Sequence, residues 1–311
     1  MVGKPQIIAH SDWSMRSAKR WCARAVLIED GRYAVQGPKP VGLLGEFLPS
    51  IEASISDANC AFLGFDFPIG IPHRYAQLAN IASFIGWIEQ LGTGQWGEFF
   101  DVCEEGDEIS FRRPFFPNAS KAGIKQFSLL NALGVASIDE LMRRCELGTK
   151  ERKRACSIFW TLGGNQVGKA AIVGWRDVII PVLHRAGNSV GIWPFDGTMS
   201  ELLKSKRLTI AETYPAEYYQ WFTKDRVVKT NVTSRIEFCA HLLDWLHKHE
   251  SELLATDDMK REIRSGFADD DRFDSVVGLF AMLQVVLGER PVKELHDQVA
   301  QTIEGAILGR D

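Results

Sequence analysis

From Gly266 to Phe280 the chain reads GFADDDRFDSVVGLF, and the apolar run continues to Leu287. A segment apolar on most sides at this length has to be a buried helix. Yet it is headed by Asp269, Asp270 and Asp271, with Asp274 three residues further on. Asp is a good helix N-cap, and negative charge near a helix N-terminus is favourable by roughly 0.3–1 kcal/mol. Capping accounts for one or two of these acids. It does not account for Asp274, which lies one turn after Asp271 and shares its face, beside Phe273, Val276, Val277 and Phe280. A carboxylate on the inner face of a buried helix costs several kcal/mol unless a cation answers it.

Composition sets few limits. The chain has 311 residues, 45% hydrophobic and 24% charged, an ordinary globular profile long enough to bury a sizeable core. A net charge of −4 gives no global attraction to nucleic acid. A polyanionic partner would therefore need a local basic patch or metal ions. The six cysteines are scattered without a C-x-x-C pair and read as reduced thiols, so a reducing compartment is expected. The N-terminal stretch lacks a secretory apolar region and no apolar run reaches membrane-spanning length. The expectation is a cytoplasmic protein with no membrane partner.

Along the chain, PQIIAHSD is a short apolar strand ending at Asp12. Two strand-like runs flank Asp30-Gly31, a dipeptide that favours a type I′ hairpin turn. Leu44, Phe47, Leu48, Ile51 and Ile55 recur at helical spacing, with Pro49 interrupting. CAFLGFDFPIGIP is a buried strand running into Asp66. SVGIWPF and RLTIAETYP are later strands, the second carrying Glu212, and SRIEFCAHLLDWLHKH is an amphipathic helix. Val292, Leu295, Val299, Ile303 and Ile307 predict a final helix. Residues 74–187 are less regular and mostly helical. This order predicts an α/β core from residues 1–73 and 188–311, with 74–187 as a long helical insertion within the same domain.

Asp12, Asp66 and Glu212 each sit at or near a strand end, where an Asp or Glu is otherwise disfavoured. Singly, each reads as a turn or cap residue. Together with Asp271 and Asp274 they form a pattern: if neighbouring strand ends bring them together, the pocket requires divalent metal. Hard oxygen ligands suit Mg²⁺ or Mn²⁺. Two such ions about 3.5–4 Å apart serve phosphoryl chemistry. Glu217, just beyond Tyr214-Pro215, competes with Glu212 for the same place; Glu212 is favoured because it lies within the strand.

The segments AHSDWS, FDFPIGIP, IWPFDG, AETYPAE and DDDRFDSVVGLFAM together resemble the domain-of-unknown-function family numbered 429 (DUF 429), over about residues 12–287. The most specific pieces are DFPIGIP and the D-x-x-D helix. That resemblance implies a ribonuclease H-like fold: a mixed sheet whose first three strands are antiparallel and the rest parallel, flanked by helices. It also implies a predicted nuclease with a carboxylate cluster at Asp12, Asp66, Glu212, Asp271 and Asp274. Asp12, Asp66, Asp274 and Asp271 would be metal ligands, and Glu212 would complete the site or position water.

Such an enzyme acts on a nucleic acid or nucleotide and needs cations for phosphate. Lys229 and Arg235, in KDRVVKTNVTSR after the Glu212 strand, are the best candidates, beside the bland reading of a solvated loop and helix start. Arg112 and Arg113, interleaved with Phe111, Phe115 and Phe116, could stack bases but read more simply as a loop anchor with a charged rim. His10, two residues from Asp12 on one strand face, could assist proton transfer or make a structural hydrogen bond. His73 is a weaker version of the same idea. Gly163–Lys169 fits G-x-x-x-x-G-K but is followed by Ala170 where a phosphate loop has Ser or Thr. An ATP-using, actin-like phosphotransferase is accordingly the alternative. A non-catalytic binding module on the same fold is the third.

Overall fold

The computed structural model describes residues 4–118, 125–148, 154–162, 167–292 and 295–310. Its first strands are β1 (Ile7–Asp12), β2 (Trp21–Leu27) and β3 (Tyr33–Pro40), paired antiparallel. The turn after β2 spans residues 28–32. Gly31 takes φ 84° there, and Asp30 accepts bonds from the Arg32 backbone and guanidinium. The Asp-Gly signal thus marks the hairpin, but the loop is too long for the two-residue I′ turn, in which Asp30 would also need positive φ.

β4 (Ala61–Phe65), β5 (Val190–Ile192), β6 (Leu208–Glu212) and β7 (Leu253–Ala255) complete one seven-stranded sheet in the order β5-β6-β4-β1-β2-β3-β7. All pairings other than β1–β2 and β2–β3 are parallel. This is an α/β fold with a mixed sheet flanked by helices, in a ribonuclease H-like arrangement. β4 and β6 are buried at every residue, so they read as continuous apolar runs rather than alternating ones.

The chain divides into two compact units. The first comprises Met1–Asp66, Asn188–Ile192 and Thr198–Lys293 and contains the whole sheet. Its central helix, Asp270–Val286, is buried from Phe273 onward and packs on β1, β2 and β3. Helices Pro215–Phe222 and Val232–Lys248 border it, and Tyr219, Phe238 and Phe273 form an aromatic cluster there with ring centroids 5.4–5.6 Å apart.

The second unit comprises Phe67–Gly187, Trp193–Gly197 and Glu294–Asp311. Short helices surround an aromatic core in which Trp87, Phe99 and Trp175 meet with centroids 4.9–6.2 Å apart. Of the predicted helix over 292–307, the described residues form a helical stretch over 298–304 alone, of π type from Ala300 to Glu304. Its Glu304 carboxylate accepts from Arg144 Nε at 2.8 Å, and its carbonyl accepts from fully buried Arg143 at 3.1 Å. The residues 119–124, 149–153 and 163–166, which the sequence marks as basic or glycine-rich, lie outside the described residues.

Candidate functional site

Register brings two of the acids together. β1 and β4 run parallel with Ser11 opposite Phe65, and the Asp66 amide donates to the Ser11 carbonyl at 3.1 Å. Asp12 and Asp66 therefore stand abreast at adjacent strand ends. The same alternation points His10 and Asp12 to the face covered by the Asp270–Val286 helix, which supplies Asp274. Asp12 and Asp274 are buried, at 7% and 2% exposure, and Asp66 is half-buried.

Their electrostatics show that they share one space. Burial pushes the Asp12 carboxyl well above the usual range, and repulsion from Asp274 and Asp66 adds to it. Burial, then Asp274, pushes Asp66 up to about 7, although a hydrogen bond with Asp12 opposes this. Asp274 is also raised by burial, against the pull of Lys229 and Tyr219. Lys229 Nζ and the Tyr219 hydroxyl each donate to the Asp274 carboxylate. Burial would lower the Lys229 ammonium, but Asp274, Asp12 and Asp66 outweigh it and hold the group charged. The lysine is thus the cation that the acidic helix demands.

The other predicted acids are peripheral. Asp271 lies within electrostatic reach of Asp12 but pairs with Lys19 at 3.3 Å. Glu212 ends β6 opposite Phe65, so strand alternation puts it on the face away from Asp12; its charge still raises Asp66. Glu217 accepts from Gln220 at 2.9 Å in the first turn of its helix. Asp269 is the helix N-cap, accepting from the Arg272 amide at 2.8 Å.

Arg235 corrects the sequence reading. It is buried, at 5% exposure, and donates to the carbonyls of Gly266, Lys229 and Phe267 at 2.7, 2.6 and 3.2 Å. A guanidinium engaged with three backbone carbonyls is an anchor, not a phosphate contact. It pins the Lys229 loop and the turn ahead of the aspartates, where Phe267 adopts φ 60°, a conformation costly for a bulky residue. His10 is fully buried. Nδ1 lies 3.0 Å from the Ser275 carbonyl and Nε2 2.9 Å from Thr213 Oγ1. The first contact requires a proton on Nδ1, so Nε2 accepts from the threonine. Burial lowers the imidazole to about 3, and with both nitrogens occupied His10 is a brace rather than a proton shuttle.

Tyr219 and Thr213 were not singled out by sequence. Each reads as ordinary content of AETYPAEYY, and only the register of β6 and the helix after it reveals their aim. In the glycine-rich segment, 163–166 lie outside the described residues. Gly168 opens the Val167–Gly174 helix with the position of a β-carbon only 2.1 Å from the Ile158 carbonyl, a packing reason for glycine. The described residues just ahead of that helix, 154–162, form no strand, only an isolated bridge between Trp160 and Phe116, unlike the strand that leads into a phosphate loop.

No group of three His, Cys, Asp or Glu side chains among the described residues is placed to hold a metal ion. The cause is visible: Asp274 is engaged by Lys229 and Tyr219, and Asp12 by Asp66. The donor set nevertheless fits Mg²⁺ or Mn²⁺, being hard carboxylate oxygens. Their raised proton affinities come first from burial, with repulsion among the acids adding to it at Asp12 and Asp66. Binding would require the ammonium to leave Asp274, and 43% of the Lys229 side chain is open to solvent. All six cysteines are free, and no helix among the described residues is long and apolar enough to cross a membrane. Comparison with protein-family models, with curated proteins and with solved structures finds no match.

Proposed function

We propose that this chain is a metal-dependent phosphodiesterase acting on a nucleic acid or nucleotide, as its resemblance to DUF 429 suggests. The observation that supports the reading is the clustering of Asp12, Asp66 and Asp274, three acids from distant parts of the sequence that repel one another in one buried space. A protein does not maintain such repulsion for stability alone. Asp12, Asp66 and Asp274 would hold Mg²⁺ or Mn²⁺, with Asp271 within electrostatic reach and Glu212 acting on Asp66 only by its charge. A divalent ion there supplies an activated water and charge stabilisation for a leaving oxygen. Lys229, released from Asp274, has the open side chain and fixed charge to meet a substrate phosphate. Tyr219 keeps Asp274 aimed, and Arg235 holds the Lys229 loop in register.

The test is a thermal melt with and without Mn²⁺, followed by single-stranded, duplex, hybrid and branched nucleic acids. A ligand bound only by the folded state raises the melting temperature. The reading expects a rise in the wild type, its loss in Asp12→Asn, and Mn²⁺-dependent cleavage of at least one substrate that Asp12→Asn abolishes. An unchanged melting temperature at millimolar Mn²⁺ together with an inert substrate panel would sink it.

A further inference from the structure

The second unit carries a cavity of about 700 Å³ that none of the acids approaches in sequence. That volume lies within the range of small-molecule sites, about 300–1,000 Å³. Its wall is aromatic: Trp87, Trp96 and Phe111 line it. The wall is also pre-formed. Trp87 meets Trp96 edge-on at 5.5 Å and Phe99 at 4.9 Å, and the Phe111 carbonyl accepts from the Tyr75 hydroxyl.

The polar groups at this wall have a definite sense. Gln90 spends its amide NH₂ on the Gly86 carbonyl at 2.7 Å, which leaves its oxygen as an acceptor. Gln95 does the reverse: its oxygen accepts from Arg112 at 3.1 Å, which leaves its NH₂ as a donor. Both are exposed side chains lining the cavity, as is Arg112. Trp87, itself 4% exposed, has an indole N–H that is buried and finds no hydrogen-bond partner among the described residues. That atom is closed to solvent, so Trp87 serves the wall by its ring packing rather than as a group that meets a ligand.

From this arrangement we propose that the second unit binds a nucleoside monophosphate, or a nucleotide of a strand, with the base against Trp96 and Phe111 and the phosphate at Arg112. Aromatic faces accept any base. An amide donor and an amide acceptor lining one cavity match the mixed edge of a nitrogen heterocycle rather than a hydrocarbon ring. The guanidinium matches a phosphate in charge and geometry. The arginine-aromatic run around residue 111 thus divides: Phe115 and Phe116 are core, at 0% and 2% exposure, while Phe111 and Arg112 face the cavity. The proposal does not depend on the carboxylate cluster, since binding here requires no metal.

The experiment is a titration in EDTA, reading the intrinsic fluorescence of the wall tryptophans against AMP, GMP, CMP and UMP, with adenosine and inorganic phosphate as separate arms. Saturable quenching by at least one monophosphate is expected, with adenosine about tenfold weaker. Arg112→Ala, at an exposed position, should abolish the advantage of the phosphate while leaving the melting temperature unchanged. Gln90→Ala and Gln95→Ala should weaken nucleotide and nucleoside alike. The proposal is overturned by an absence of saturation with all four monophosphates up to roughly 10 mM. It is equally overturned if nucleoside and nucleotide bind alike in the wild type, or if Arg112→Ala, Gln90→Ala and Gln95→Ala all bind as the wild type does.

Discussion

Gly278 faces the His10 imidazole so closely that a β-carbon at residue 278 would lie 2.2 Å from Nε2. The ring cannot retreat without breaking its bond to Ser275 on the helix or to Thr213 at the end of β6. One neutral side chain on β1 therefore ties down the neighbours of Asp274 and Glu212, and one glycine makes room for it. Gly278→Ala should destabilise the protein by about 2 kcal/mol or more, the upper part of the overpacking range. Denaturant melts will read this as a lower midpoint at constant slope. His10→Ala combined with Gly278→Ala should cost less than the two single changes summed, because the clash vanishes with the ring.

The same histidine fixes a pH dependence with a definite sign. Its proton affinity is lowered from 6.5 to about 3 in the fold, so the unfolded chain binds the proton more readily. The stability it contributes is complete above pH 6.5 and drains away as pH falls toward 3. Asp66 acts in the opposite sense, since its carboxyl is raised from 3.8 to about 7. Its contribution is complete below pH 3.8 and is lost as pH rises through 7. Melting temperatures from pH 4 to 8 should show Asp66→Asn gaining on the wild type as pH rises. His10→Gln should gain on the wild type as pH falls below about 6.5. Parallel curves for all three proteins would contradict both assignments.

The fold was legible where local chemistry decides it. Asp-Gly marks the β2–β3 hairpin, apolar runs ending in acids mark β1, β4 and β6, and helical spacing marks the Leu44–Ala53 helix despite Pro49. β7 escaped because three residues, one of them exposed, carry too little period-two signal. The Asp257–Arg264 helix escaped because only Met259 and Ile263 are buried on it. Within the site, proximity of Asp12 and Asp66 follows from strand order, which the acids at strand ends foreshadow, and the helix packed on β1 adds Asp274. The role of Arg235 did not follow, because a basic residue after a basic loop looks the same whether it meets phosphate or three carbonyls. Tyr219 needed the geometry of its helix against Asp274, for which no residue pattern is diagnostic.

Arg143 and Glu146 offer a check on the second unit. Arg143 is fully buried, donates to Glu146 Oε1 through Nε at 3.0 Å and through Nη2 at 2.9 Å, and donates to the Glu304 carbonyl as well. Removing one partner of a buried pair strands the other's charge. Arg143→Ala should therefore cost about 3–5 kcal/mol. Arg143→Met with Glu146→Gln should recover a large part of that loss. Equal losses in the single and double variants, by denaturant melts, would show that packing rather than charge pairing governs this site.

On the metal-binding reading, Lys229 and a divalent ion would compete for Asp274. Lys229→Met should lower the metal-free melting temperature at pH 8, because Asp274 keeps its negative neighbours and loses its cation. The loss should be modest, about 1–3 kcal/mol, since the lysine is partly exposed and solvent screens the pair. On the metal-binding reading, Mn²⁺ should then raise the melting temperature of Lys229→Met by more than it raises the wild type's. A smaller rise in the variant would mean that the lysine assists the ion rather than occupying its place.

Protons compete for the same oxygens. Asp66 holds its proton up to about pH 7, and Asp12 and Asp274 are shifted in the same direction. A metal ion must displace those protons before it can use the carboxylates. The Mn²⁺-induced rise in melting temperature should therefore be small at pH 5.5 and grow through pH 7 to 8, with protons released on binding. Asp66→Asn removes the group that titrates near 7 and should flatten this growth, besides reducing its size. Calorimetry in two buffers of different ionisation enthalpy counts the released protons directly. A rise in melting temperature already complete at pH 5.5, with no proton release, would place the ion on groups other than these three aspartates.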